Sequence, residues 1–94
     1  MSLEAEKILL LIEVSNKFNE YKKQVYINLI KHLSANDLDQ VLLWQSNLEF
    51  LLHMELAFIK KLPTMSDSAV TWYRKNAEFQ LENTFSILVG VSDL

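Results

Sequence analysis

From Leu3 to Leu33 apolar residues recur every three or four positions, with no glycine or proline among them. An α-helix turns by about 100° per residue, so this spacing gathers them on one side of a helix. The arc is formed by Ile8, Leu10, Leu11, Ile12, Val14, Phe18, Tyr21, Val25, Tyr26, Leu29, Ile30 and Leu33. It spans roughly 200°, against the ~100° stripe of an ordinary surface helix. Leu9 and Ile27 fall outside even that arc.

The run ends at Ser34-Ala35-Asn36-Asp37, where Ser34, Asn36 and Asp37 all offer N-cap side chains to a following helix. A second helix is predicted over 37–62. Pro63 should stop it, because the residue before a proline is pushed out of the helical region. The polar stretch 64–68 follows, with Ser66 or Asp67 as the next cap. A third helix is predicted over 68–89, with Gly90 as its C-terminal glycine. At 1.5 Å per residue the helices over 3–33, 37–62 and 68–89 are roughly 45, 39 and 33 Å long. Short connections make neighbouring helices antiparallel. The predicted fold is all-α: three long antiparallel helices in one small domain over 1–94.

Each helix carries more apolar surface than one core uses. On the second, Leu38, Val41, Trp44, Leu48, Leu51, Leu52, Leu56, Ile59 and Leu62 share a broad sector that reads as the main core. Leu43, Phe50, Met54 and Phe58 form another line on the side away from that core. On the third helix the main stripe is Val70, Tyr73, Ala77, Leu81, Thr84, Leu88 and Val91. A separate line, Trp72, Asn76, Phe79, Asn83, Ser86 and Gly90, alternates spacings of four and three, as a coiled-coil seam does. Aligned apolar stripes mark interfaces. A larger bundle completed by dimerisation is therefore expected, with Phe50, Met54, Phe58, Trp72 and Phe79 as interface candidates and parts of the first helix as alternatives.

Composition supports this picture. One glycine and one proline in 94 residues are too few for a many-stranded β fold, and half of the chain is apolar. Nine basic and twelve acidic residues leave a net charge of −3, and Arg74 is the single arginine. That balance does not predict a nucleic-acid partner, for which a basic stripe rich in arginine is the usual signature. No apolar run approaches the ~20 residues of a membrane span, so no membrane partner is expected. Acidic Glu4 and Glu6 stand where a signal peptide is basic, and there is no cysteine. A cytoplasmic setting is expected from both.

The candidate chemistry is sparse. Glu49 and His53 lie one turn apart on the polar face of the second helix. A carboxylate-bridged metal bundle instead needs repeated Glu-x-x-His motifs facing inward. Glu55 points about 160° away from His53 and falls in the apolar sector, where a lone carboxylate needs a partner. Its candidate partners are Arg74, His32 and the tyrosines Tyr21, Tyr26 and Tyr73. His32 and Arg74 sit at core edges. With no Gly-x-Ser-x-Gly elbow, no glycine-rich phosphate loop and no thiol, catalysis is not expected. Neither is a metal or other cofactor. The expected function is a non-enzymatic, homo-oligomeric interaction module of the adaptor, chaperone or inhibitor type, offering an apolar groove or face to itself and to another protein. The alternative is a metal- or small-molecule-binding bundle using Glu55, His32 and the tyrosines.

Overall fold

A computed structural model describes residues 1–92, apart from the side chains at 77–79, 84–85 and 87–92. It is all-α. Helix α1 spans Leu3–Ser34, α2 spans Leu38–Lys61 and α3 spans Asp67–Ser92, with one turn of 3-10 helix at Leu62–Thr64. Among the described residues there is no strand.

The ends of the helices follow local chemistry. The Ser2 side chain caps α1 by accepting from the Ala5 N–H at 3.2 Å, and Glu4 and Glu6 occupy the first turn, where the helix dipole favours anions. At the other end Asn36 takes a positive φ of 56°. Asparagine tolerates that left-handed conformation far better than a β-branched residue. It lets the Asn36 and Asp37 N–H groups bond back to the carbonyls of Leu33 and His32 at 3.1 and 2.9 Å. These are the paired bonds of a left-handed helix stop. Asp37 then starts the next helix, its carboxylate accepting from the Gln40 N–H. Three residues thus reverse the chain.

The second connection departs from expectation. Leu62, before the proline, keeps helical angles of −53° and −47°. Pro63 opens the 3-10 turn, a position where its fixed φ fits and its missing N–H is not needed. The preference against helix before proline is overridden over a single turn. Ser66 caps α3 through the Ala69 N–H at 3.2 Å. Helix α3 also runs past Gly90 to Ser92, where a C-terminal glycine was expected. An interior glycine costs a helix only about 1 kcal/mol, which neighbouring turns absorb.

Helix α1 is the hub, packing on both α2 and α3. Its buried row is Leu10, Val14, Phe18, Tyr21 and Val25, at spacings of four, four, three and four. Against it lie Trp44 and Leu51 of α2, Leu62 and Met65 at the turn, and Val70 of α3. The molecule measures 51 × 18 × 16 Å. A helix with its side chains is about 10–12 Å across, so this cross-section encloses only a single thread of core. Many apolar side chains are left outside it.

Candidate interaction surface

Ion pairs establish which side of α1 meets which neighbour. Glu6 and Glu13 reach Arg74 of α3 at 3.9 and 3.7 Å, and Lys17 reaches Glu82 of α3 at 3.7 Å. All three leave α1 on one flank of its buried row. On the other flank, Lys22 Nζ lies 3.1 Å from Glu55 Oε1 of α2. Beyond Lys22, still farther from α3, comes a row of exposed residues: Ile8, Ile12, Tyr26, Ile30 and Leu33.

Helix α2 repeats this arrangement. Phe58 stacks edge-on against Tyr73 of α3 at 5.8 Å, and Lys61 reaches the Tyr73 hydroxyl at 3.3 Å, so that flank faces α3. Glu55 marks the opposite flank, toward α1. Beyond it stand Leu38, Leu42, Leu52, Leu56 and Ile59, all exposed, with Leu38 at 67%. With Gln45 and Glu49 between them, these positions alternate steps of four and three along the whole helix. That is the spacing of a helix–helix seam.

The two exposed rows lie side by side across the α1/α2 junction, on the face opposite α3. Ile30, Leu33, Leu38 and Leu42 cluster at the hinge end. Ile8, Ile12, Leu56 and Ile59 cluster at the other. Between them runs a polar waist that includes Asn19, Lys23, Gln45, Glu49 and His53, all exposed. Together the ten apolar side chains expose on the order of 1,000 Å², and each end cluster by itself is about as large as the ~300–600 Å² of the largest patch on a typical monomer.

This surface differs from the one the sequence pattern pointed to. Leu38, Leu52, Leu56 and Ile59 were expected in the core and are exposed. The buried sector of α2 is rotated about 60° from the expected one, toward Asn47, Met54 and Phe58. The cause is α3, which α2 must meet as well as α1. Of the interface candidates, Met54 and Phe58 accordingly pack partly buried against the core. Both also line a cleft of about 350 Å³ between the helices, with Tyr73 and Lys61 among its other walls. Phe50 and Trp72 are half exposed, and Trp72 rests edge-on against Tyr73 at 5.1 Å. The side chain of Phe79 lies outside the described residues.

The polar candidates are dispersed. Glu55 pairs with Lys22, and not with Arg74, His32 or a tyrosine; the two side chains are only 17% and 19% exposed. A lysine at the edge of a helix reads as a surface residue, but its long flexible stem lets the Lys22 ammonium reach the Glu55 carboxylate across the α1/α2 junction. Arg74 is taken by Glu6 and Glu13. His32 lies ten residues beyond Lys22 on α1, about 15 Å along the axis, so it and Glu55 share no site. Neither lines the cleft. Glu49 and His53 are both exposed. Among the described residues no three His, Asp or Glu side chains gather as a metal site would require. No described helix is long and apolar enough to cross a membrane.

Comparison with protein-family models, with curated proteins and with solved structures finds no match to this chain.

Proposed function

We propose that the protein is a non-enzymatic helical interaction module that works as a homo-oligomer and uses the bare α1/α2 face as its contact surface. The observation that carries this reading is the double row of exposed, mainly aliphatic side chains on that face, interrupted at its middle by the polar waist. Leaving such a surface in water forfeits about 25 cal/mol per Å² that burial would return. A partner helix, or a pair of them, laid along the two rows recovers it by helix-in-groove packing. The polar groups support the same reading. Glu55 and Arg74 sit in ion pairs that join helices, which is structural work. A cytoplasmic setting belongs to the proposal, since a cysteine-free chain does without the disulfides common in oxidising compartments.

Sedimentation equilibrium over a hundredfold concentration range tests it. The wild-type chain is expected to self-associate. The double variant Leu42→Ser/Leu56→Ser, altered only on the bare face, is expected to be monomeric with its helicity retained. Two exposed leucines per copy should weaken association by about a hundredfold or more. A wild-type chain that stays monomeric throughout overturns the homo-oligomer.

A further inference from the structure

We propose that the α1/α2 face is covered by the same face of a second copy, related by a two-fold axis running parallel to the helices, so that α1 of each protomer lies on α2 of the other. This rests on the interaction-module reading and adds the symmetry axis and the register of the two copies. The first argument is area. The face exposes on the order of 1,000 Å², and each partner in a standard stable interface contributes roughly 800 Å². A second copy matches that extent along the full length of both helices.

The second argument is charge. Lys23 on α1 and Glu49 on α2 stand in the polar waist, both exposed, and neither is held in an ion pair among the described residues. The hinge at 35–37 and the bond from Lys7 Nζ to the Pro63 carbonyl at the other end set the levels of the two antiparallel helices. They place Lys23 within about one turn of Glu49 along the bundle.

Two kinds of two-fold axis can bring a face against its own copy. An axis across the helices sets α1 on α1 and brings Lys23 toward the partner's Lys23, and Glu49 toward the partner's Glu49. An axis along the helices sets α1 on α2, so Lys23 meets the partner's Glu49 and the reverse pair forms symmetrically. The apolar ends also match in this arrangement, with Leu33 near the partner's Leu38 and Ile12 near the partner's Ile59. Four helices then form a ring in which every neighbour is antiparallel, the usual geometry of a four-helix bundle. Helix α3 of each copy remains on the outside. The Lys22–Glu55 pair, already on the floor of the face, becomes enclosed.

Charge reversal of the full chain distinguishes the arrangements. Lys23→Glu and Glu49→Lys, each alone, place like charges across the interface twice and should weaken dimerisation about tenfold or more. The double variant Lys23→Glu/Glu49→Lys restores opposite charges and should return the dissociation constant to near the wild-type value. Both positions are exposed, and circular dichroism on dilute samples checks that each variant keeps its helices. Single reversals without effect, or a double variant as weak as the singles, overturn the axis proposed here. If that happens while Leu42→Ser/Leu56→Ser still dissociates the protein, the interaction-module reading stands and the arrangement alone fails. A monomeric wild type overturns both.

Discussion

Helix α2 has two apolar flanks, and they have opposite fates. One, with Trp44, Leu51, Met54 and Phe58, turns toward α1 and α3 and is largely covered. The other, with Leu38, Leu42, Leu52, Leu56 and Ile59, is bare. By composition the bare flank is the more uniformly aliphatic of the two. Hydrophobicity therefore did not decide which became core. The decision came from where α3 lands, because the flank carrying Phe58 and Lys61 is the one that can meet Tyr73. The bare flank is surplus apolar surface aligned for another helix.

Substitutions on the two sides of the molecule sharpen this contrast. The largest effect is expected on the covered side. Phe18, 1% exposed at the centre of α1, touches the thread of core that all three helices share. Phe18→Ala should lower the unfolding free energy by about 3–5 kcal/mol. Urea denaturation should show that loss at every protein concentration, whereas changes on the bare flank should act through association and fade on dilution. If Phe18→Ala behaves as a bare-flank variant does, the assignment of the two sides is wrong.

The junction between the sides should respond less. Lys22→Met leaves the half-buried Glu55 carboxylate unpaired. The expected loss is about 1–2 kcal/mol, between the small value of an exposed pair and the larger one of a buried pair broken on one side. Lys22→Met/Glu55→Met removes both charges and should recover much of it, measured by thermal unfolding as a double-mutant cycle. The smallest effect is expected at the α3 rim. Arg74→Ala breaks long, partly exposed contacts to Glu6 and Glu13, and should change stability by no more than about 1 kcal/mol, less at high salt. A larger loss would mean that α3 is held by charge more than by Val70 and its neighbours.

Much was legible in one dimension. The three helices follow from apolar periodicity, and their breaks from Asn36, Asp37, Pro63 and Ser66, because caps and turns depend on residues within a few positions of each other. The excess of apolar surface was also legible, since it is a property of composition and spacing. Glu55 was rightly singled out as a carboxylate in need of a partner, but Lys22 lies 33 positions away and only the packing of α1 on α2 joins them. The faces were not legible for the same reason. A helix with apolar residues on two flanks satisfies its own pattern equally well facing either way, and the choice depends on which flank a third helix covers. That is a contact between segments distant in the chain, and no local interaction encodes it. Sequence alone determined that this protein is three helices with more apolar surface than they can hide; the tertiary structure decided that the uncovered surface is the α1/α2 face.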